Sequence, residues 1–270
     1  MAFIFTISIV LILNSVKITF LGTGTSQGVP IIACPCNVCQ SADAKDKRLR
    51  TSVMVETQGK NFVIDTGPDF RQQMLRENVK NVDAVIFTHE HKDHIAGFDD
   101  IRAFNFINKK KMDVYASERV QQAIKREFAY IFSDFKYPGI PEINLYLLEN
   151  QLTNIQGVHV LPVEVLHYKL PVFGFRIGGF SYITDANFIS EAEKQKIKGS
   201  KVLVLNALRR EEHISHFTFQ QAIDLAKELS AGMTYFTHIS HQLGLHAEVE
   251  QELPDNIRIA YDGLQLELDE

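Results

Sequence analysis

The segment Thr88-His89-Glu90-His91-Lys92-Asp93-His94 decides the fold of this chain. It follows the apolar run Val82–Phe87, which predicts a buried strand, so the imidazoles and a carboxylate lie where that strand ends. Imidazole together with carboxylate suits a divalent transition metal, and zinc is the commonest choice. The alternative is a polar surface loop. A metal site is favoured, because ligands packed this densely repel one another when protonated and gain little without a metal.

Composition limits the classes of protein that fit. The chain has 270 residues, 45% hydrophobic composition and a formal net charge of −5, which indicates a globular protein with a large core. The longest basic run, Lys109-Lys110-Lys111, is typical of a solvated turn, so no nucleic-acid partner is favoured. The three cysteines all lie within Cys34–Cys39, too few and too close for a disulfide framework. Metal ligation is favoured over buried free thiols, and a cytoplasmic, reducing location follows.

The first residues form an apolar run, Ala2–Leu13. The run is shorter than the ~20 residues that a membrane-spanning helix needs. It also lacks the basic start and the small-residue cleavage site of a signal peptide. We therefore expect residues 1–15 to be an N-terminal extension from a start placed too early, and residues 16–270 to be one domain. A lipid-facing or exported form is the alternative.

Hydrophobic periodicity predicts strands and helices in two similar halves. Helical spacing predicts helices over Ser117–Ile131, Ile189–Lys198 and Phe219–Leu229. Alternating or continuous apolar runs predict strands over Val16–Leu21, Ser52–Glu56, Asn61–Asp65, Val158–Val165, Val172–Ile177, Phe180–Ile183, Lys201–Leu205, Met233–Thr237, Ile257–Ala260 and Leu264–Leu268. This order indicates a β-sandwich with helices on its faces.

The pattern His89-x-His91-x-Asp93-His94 resembles the signature of the metallo-β-lactamase superfamily. The resemblance implies an α+β fold, the four-layer αββα sandwich. It also implies two active-site metals, zinc or manganese. The implied ligands are His89, His91 and His167 for the first metal, Asp93, His94 and His238 for the second, and Asp185 as the bridge. Asp65 matches a residue of the superfamily that steadies the histidine loop, and metal ligands generally need such support.

Two further motifs are similar to those of PhnP-like phosphodiesterases. Cys34-x-Cys36-x-x-Cys39 with His241 resembles the set that holds a third, structural zinc in that family. His216 matches its phosphate-side catalytic histidine, which can give a proton to the leaving alkoxide or bind the phosphoryl oxygens. The resemblance thus makes His216 and Asp93 the expected catalytic residues.

The resemblance implies a metal-dependent phosphodiesterase that opens a cyclic phosphate like phosphoribosyl 1,2-cyclic phosphate, through a hydroxide bound by two metals. The expected partner is a small phosphodiester, without a membrane partner, and a homodimer is compatible with this expectation. Arg50 and Arg102 are candidate phosphate binders or ion-pair partners. The alternatives are a tRNA 3′-processing zinc phosphodiesterase and a non-hydrolytic PqqB-like protein. No long arm for clamping tRNA is visible, and a thioesterase of the glyoxalase II kind would need an added helical domain.

Overall fold

Two β-sheets packed face to face form the centre of the protein. The computed structural model describes residues 15–135 and 137–269. The predicted N-terminal extension therefore lies outside the described residues, except for Ser15, which begins the first strand. Within the described ranges, no helix is long and apolar enough to cross a membrane.

The fifteen strands of the described residues are divided between the two sheets. Their bounds are β1 Ser15–Gly22, β2 Ser52–Thr57, β3 Lys60–Ile64, β4 Ala84–Ile86, β5 Met112–Ala116, β6 Ile143–Leu147, β7 Thr153–Ile155, β8 Val158–His167, β9 Leu170–Ile177, β10 Phe180–Tyr182, β11 Phe188–Ile189, β12 Val202–Asn206, β13 Met233–Thr237, β14 Ile257–Ile259 and β15 Gln265–Asp269. The first sheet has the order β15-β1-β2-β3-β4-β5-β6. The second has the order β11-β8-β9-β10-β12-β13-β14, with β7 paired to β8.

The helices are short and lie between the strands. Their bounds are α1 Asn37–Gln40, α2 Phe70–Arg76, α3 Lys92–Ile95, α4 Arg102–Asn108, α5 Glu118–Glu127, α6 Glu191–Ile197, α7 Phe219–Leu229 and α8 His246–Val249. Shorter 3₁₀ turns cover Ala44–Asp46, Phe98–Ile101, Ala129–Phe132 and Glu250–Glu252. Helix α7 begins with a capping box, in which Thr218 and Gln221 satisfy each other's backbone N–H groups.

Three buried clusters correspond to the interfaces of a four-layer αββα sandwich. The middle cluster joins the two sheets and includes Ile18, Phe20, Val55, Phe62, Phe175, Phe180 and Val204. The second packs the first sheet against its helices and includes Val63, Phe70, Val85, Phe104, Val120 and Ile124. The third does the same for the second sheet and includes Val165, Leu203, Phe219, Ile223 and Phe236. The predicted fold class is confirmed.

Two predicted helices differ from the observed ones at their ends. The helix expected over Ser117–Ile131 has Ser117 as its cap and ends at Glu127, where the chain turns into the 3₁₀ segment Ala129–Phe132. The helix expected from Ile189 begins at Glu191, because Ile189 pairs with Val165 as strand β11 and Ser190 caps the helix. Both starts depend on serine hydroxyls that accept a backbone N–H.

Candidate metal centre

The predicted ligands lie at the ends of strands from both sheets. In the first sheet, β4 runs into the segment that carries His89 and His91, and Asp93 and His94 lie on α3. In the second sheet, His167 is the last residue of β8, and Asp185 follows β10. His238 follows β13.

The seven side chains form two clusters. His89, His91 and His167, which we call the imidazole cluster, each offer a ligand atom, and these atoms lie within 4.8 Å of one another. The same holds for the carboxylate cluster, which consists of Asp93, His94, Asp185 and His238. The clusters adjoin each other, since the ring centroids of His89 and His94 are 4.1 Å apart. The structure thus brings together the side chains that the sequence predicted as one dinuclear site. Their role as ligands stays a prediction.

Hydrogen bonds at one ring nitrogen leave the other nitrogen free in three of the histidines. Nδ1 of His94 donates to Oδ2 of Asp65 over 2.7 Å, and Nδ1 of His167 donates to the carbonyl of Ser215 over 2.9 Å. Oγ1 of Thr88 donates to Asp65 over 2.7 Å, so it can accept from Nδ1 of His89 at 2.9 Å. When these rings are neutral, each Nε2 carries a lone pair, which is the form that binds a metal.

Buried nitrogens without partners are the observation that best fits a bound metal. Nε2 of His89, Nε2 of His94 and Nδ1 of His238 are buried, and none has a hydrogen-bond partner among the described residues. Nε2 of His94 is 3.1 Å from Oδ2 of Asp185 and makes no hydrogen bond to it. A buried polar atom without a partner is costly, and a divalent cation between imidazole and carboxylate removes that cost.

Burial and the neighbouring charges set the pKa values here. Burial lowers the pKa of His89 well below its usual range, and the neighbouring His94 lowers it further, so the ring is neutral. Burial acts to raise the pKa of Asp185, but His238 and His94 outweigh it and hold that pKa well below its usual value. Burial acts to lower the pKa of His94, but Asp93 and Asp185 outweigh it and hold that pKa well above its usual value, so this ring keeps its proton unless a divalent cation displaces it.

Three residues at the centre have left-handed backbone conformations. The φ angles are +66° at Asp65, +51° at Asp185 and +57° at His238. Non-glycine residues rarely adopt this region, and such strain concentrates at functional sites. Next to His238, the N–H of Ile239 donates to the carbonyl of Thr23 over 2.9 Å, which holds the turn in place.

His216 lies beside both clusters. Its ring centroid is 4.7 Å from that of His238 and 4.7 Å from that of His167. Nδ1 of His216 is 3.7 Å from Oδ1 of Asp185 and has no hydrogen-bond partner among the described residues. Burial and the neighbouring His238 lower the pKa of His216 to about 2. His213 lies on the outer side of His216, with ring centroids 5.0 Å apart.

A separate group of thiols lies near the strand that carries His238. Cys34, Cys36, Cys39 and His241 offer ligand atoms within 4.8 Å of one another, and we call them the thiol cluster. Sγ of Cys34 is 3.4 Å and Sγ of Cys36 is 3.3 Å from Nδ1 of His241. A backbone hydrogen bond from Cys39 and the contact with His241 together lower the pKa of Cys36 to about 6. Three sulfurs and one imidazole nitrogen make the donor set of a structural zinc site.

Several supporting residues were missed from the sequence. Asn206, the buried last residue of β12, accepts from the N–H of Ala186 over 2.9 Å and so holds the turn after Asp185. A polar residue ending an apolar strand was the available signal. At Gly67 an added Cβ would lie 2.1 Å from the carbonyl oxygen of Asp93, so only glycine fits there.

The two arginines considered as phosphate binders are engaged elsewhere. NH1 of Arg50 is 3.1 Å from Asp69, and NH1 of Arg102 is 2.7 Å from Asp99. Both arginines therefore have ion-pair partners, as one of the two interpretations of the sequence expected. Two other cations, Arg119 and Lys169, line a cavity beside the imidazole cluster together with His91 and His167.

Comparison with known proteins agrees with this geometry. Residues 60–239 match the sequence profile of the family described as "Beta-lactamase superfamily domain". The matched region covers β3 through the residue after His238 and includes both clusters. The chain therefore belongs to the beta-lactamase superfamily.

A solved structure narrows this relationship. The protein described as "a New Diphosphatase from the PhnP Family" is 40% identical to this chain, with a TM-score of 0.89 over 94% of this chain and 97% of that one. At this identity and coverage the chain belongs with the PhnP family. The predicted resemblance is confirmed.

Two other relatives differ from this chain in length or in sequence. An octanoyltransferase of Porphyromonas gingivalis is 39% identical over 93% of this chain, but this chain spans only 51% of that protein. Zinc-bound PqqB from Methylobacterium extorquens has a TM-score of 0.74 at 20% identity, covering 93% of this chain and all of that one. The second likeness shows the fold alone.

Proposed function

We propose that this protein is a metal-dependent hydrolase of phosphodiesters, acting on a small substrate such as a cyclic phosphate. The observation that carries the proposal is the pair of adjacent clusters, whose buried imidazole nitrogens lack partners among the described residues. The relationship to a PhnP-family diphosphatase supports phosphorus chemistry over other hydrolyses.

The imidazole cluster and the carboxylate cluster would each hold one divalent metal, zinc or manganese, with Asp185 between them. When bound, such a pair lowers the pKa of a water and neutralises charge on a phosphoryl group. The protein's own share is to hold the geometry. Asp65 fixes His94, the Ser215 carbonyl fixes His167, and the left-handed turn aims Asp185 into the centre.

In this proposal His216 contacts the phosphoryl group or its leaving oxygen. It lies against rings of both clusters, and its unpartnered Nδ1 faces the Asp185 side. With its pKa at about 2 the ring is neutral, so it can donate an N–H to a phosphoryl oxygen. To give a proton to the leaving alkoxide it must first take one up beside a bound anionic phosphoryl group. Asp93 belongs to the carboxylate cluster, where it would help to orient what is bound there.

The thiol cluster would hold a structural zinc. His241 lies three residues beyond His238, so a metal there would tie the N-terminal loop to the turn that carries a predicted active-site ligand. Free thiols persist in a reducing compartment, which supports a cytoplasmic location.

Cleavage of a diphosphate bond is a second candidate. The observation that favours it is the 40% identity with a protein described as a diphosphatase, over 97% of that protein. Both reactions displace an oxygen from phosphorus, so the same clusters would serve either. The name octanoyltransferase belongs to a protein about twice as long, of which this chain spans 51%, and we do not extend that activity to this chain.

Turnover by metal-loaded protein tests the proposal. We expect hydrolysis of bis(p-nitrophenyl) phosphate, lost in Asp185→Asn and kept in His159→Gln, which changes an exposed histidine on β8. A panel of cyclic phosphates, a nucleoside diphosphate ester and precursor tRNA then ranks the substrates. Preference for the tRNA would favour the processing enzyme. Absence of all turnover, with metals bound, would favour a PqqB-like protein.

A further inference from the structure

The segment that carries His216 is a closed loop between β12 and α7. We call residues 209–216 the His216 loop. These residues form no helix or strand. The two ends of the loop meet, because the N–H of Leu208 donates to the carbonyl of Phe217 over 3.1 Å. A loop of this kind has no regular ladder of backbone hydrogen bonds inside it, so side chains must hold its shape.

One arginine in the loop supplies several of these contacts. The guanidinium of Arg209 donates to the carbonyl of Glu212 over 2.9 Å and to the carbonyl of Glu211 over 3.4 Å. Its Nη1 donates over 2.9 Å to Oε1 of Gln242, which lies four residues beyond His238. The planar fork of arginine can reach oxygens on two segments at once, which the single ammonium group of lysine cannot do. Arg209 thus ties the His216 loop to the turn that follows β13.

That turn gives Arg209 a fixed anchor. Oγ of Ser240 accepts the N–H of Gln242 over 3.2 Å. The N–H of Ser240 in turn donates over 3.0 Å to the carbonyl of Leu208, the residue just before the His216 loop. The same turn contains His241 of the thiol cluster. The tie made by Arg209 therefore runs from the catalytic loop to a segment that is itself held in place.

His216 lies at the far end of the loop, against the metal centre. Its ring stacks on that of His238, with 4.7 Å between the centroids and 21° between the planes. Its Nδ1 has no hydrogen-bond partner among the described residues, so the path of the backbone and this packing set the direction of the ring. Just before it, the carbonyl of Ser215 accepts from Nδ1 of His167 over 2.9 Å. A shift of the loop would therefore move His216 relative to both clusters.

From these contacts we infer that Arg209 is a positioning residue for His216. The contacts of its guanidinium are with two backbone carbonyls and an amide oxygen, so it acts through the shape of the loop. The inference rests on the proposed function, because it assumes that His216 acts on the bound phosphoryl group. A misplacement of about 1 Å in a catalytic group can cost about 10²-fold in rate, so a side chain that aims such a group affects turnover without touching the substrate.

A double-mutant cycle tests this directly. On an alkyl cyclic phosphate, we expect Arg209→Met to lose about 10–100-fold in kcat/KM. In the His216→Ala protein the same change should lose less than about twofold more, because residues that act as a unit are not additive. On bis(p-nitrophenyl) phosphate, Arg209→Met should show the same ratio of losses between the two substrates as His216→Ala shows.

Three further variants separate positioning from charge and from stability. Arg209→Lys keeps the charge without the fork and should lose nearly as much as Arg209→Met. Gln242→Leu removes one of the three acceptors and should show a smaller loss, which also disappears in the His216→Ala protein. Arg210→Met is the matched control, since Arg210 is the next residue and pairs with Glu252 at 2.6 Å instead. Its activity should stay unchanged.

Failure of the positioning role and failure of the proposed function give different results. An additive loss in the double variant, or full activity of Arg209→Met or Arg209→Lys, would overturn the inference although the enzyme is active. If the unaltered protein turns over no substrate, the phosphodiesterase proposal fails, and hydrogen exchange decides on the loop. The amides of residues 210–216 should then exchange faster in Arg209→Met than in the unaltered protein or in Arg210→Met. Unchanged exchange in Arg209→Met would overturn the inference.

Discussion

Asp65 and His94 form a hydrogen-bonded pair with almost no exposure to solvent, in which Nδ1 of His94 donates to Oδ2 of Asp65 over 2.7 Å. Oδ1 of the same carboxylate accepts the N–H of Thr88 over 2.8 Å. One side chain from the end of β3 thus fixes both the imidazole of His94 and the start of the histidine segment. Burial raises the pKa of Asp65, and His94 together with the hydrogen bonds from Thr88 reduces that rise.

Asp65→Asn should therefore weaken metal binding by about 10–100-fold. Asparagine tolerates the left-handed backbone at this position, so the loss would come from its NH₂ group facing the N–H of His94. Metal affinity, measured by competition with a chromogenic chelator, checks the prediction. Asp99→Asn, which removes a half-exposed carboxylate paired with Arg102, should leave that affinity unchanged. Equal affinities for Asp65→Asn and the unaltered protein would contradict the role given to Asp65.

The thiol cluster leads to a prediction about metal content. We expect the purified protein to carry up to three metals, one of them at the thiol cluster. Cys36→Ser and His241→Gln should each lose about one equivalent and lower the free energy of unfolding, since a structural metal contributes to folding. His159→Gln should lose none. Two equivalents in all four proteins, measured by elemental analysis, would rule out the third site.

The leaving group distinguishes the two roles of His216. If this histidine protonates the leaving alkoxide, His216→Ala should lose about 10²–10⁴-fold in rate on an alkyl cyclic phosphate. The loss on bis(p-nitrophenyl) phosphate should be much smaller, because p-nitrophenolate leaves without a proton. An equal loss on both substrates would point to phosphate binding instead. Metal content should stay constant, and a loss of metal would place His216 among the ligands.

Tyr168→Asn should affect substrate binding without lowering the stability of the fold. Asparagine occupies the left-handed region more easily than tyrosine, so the free energy of unfolding should stay equal or rise slightly. Tyr168 lines the cavity beside the imidazole cluster, so the loss of its ring should raise KM for bis(p-nitrophenyl) phosphate. Denaturant unfolding and steady-state kinetics on one preparation measure both effects. A clear loss of stability would show that the Tyr168 ring serves packing of the hairpin.

His246 gives a prediction for the pH dependence of stability. Burial, together with the charges of Arg48 and Lys45, lowers its pKa to about 4 against the opposing effect of Asp46 and Asp43. Its Nδ1 is 3.1 Å from the guanidinium of Arg48 and accepts from it while the ring is neutral. Because the folded pKa lies below the ordinary value of 6.5, the unfolded chain binds a proton first as pH falls. This contribution to stability is present above about pH 6.5 and is lost between there and about pH 4.

The comparison with His246→Asn isolates that contribution, because asparagine can still accept a hydrogen bond and does not titrate. When pH falls from 7 to 5, we expect the unaltered protein to lose more of its free energy of unfolding than His246→Asn loses. Urea titrations at both pH values measure it. A difference that is the same at pH 7 and pH 5 would contradict the prediction.

The sequence predicted the position of the candidate ligands best where they directly follow an apolar strand. Val82–Phe87 and Met233–Thr237 are apolar runs, so the histidines after them could be placed at strand ends. Strands β5 and β6 were not predicted. Their residues include Asp113 and Asn144, which hydrogen-bond to each other across the pair and interrupt the apolar pattern. Polar residues inside these two strands break the hydrophobic pattern from which strands are predicted.

Other parts of the site depend on contacts that one sequence does not reveal. The left-handed turns at Asp185 and His238 are held by residues distant in sequence, Asn206 and Thr23. The cavity beside the imidazole cluster joins α5 to the β8–β9 turn, so Arg119 and Lys169 meet only once both sheets have packed. The spacing of residues identifies ligands that are close together in the sequence. It does not show which distant loops come into contact in the fold.

Each cluster draws its donors from both sheets, since the His89–His94 segment follows the first and His167, Asp185 and His238 follow the second. Neither half of the chain holds a complete set by itself. A metal should therefore bind tightly only after the halves have docked, and it then resists their separation. At a free metal concentration 1,000 times Kd, that resistance is about 4.1 kcal/mol. If the clusters bind metal as proposed, metal loading would report correct assembly, because a chain with misaligned halves would stay metal-free and so inactive.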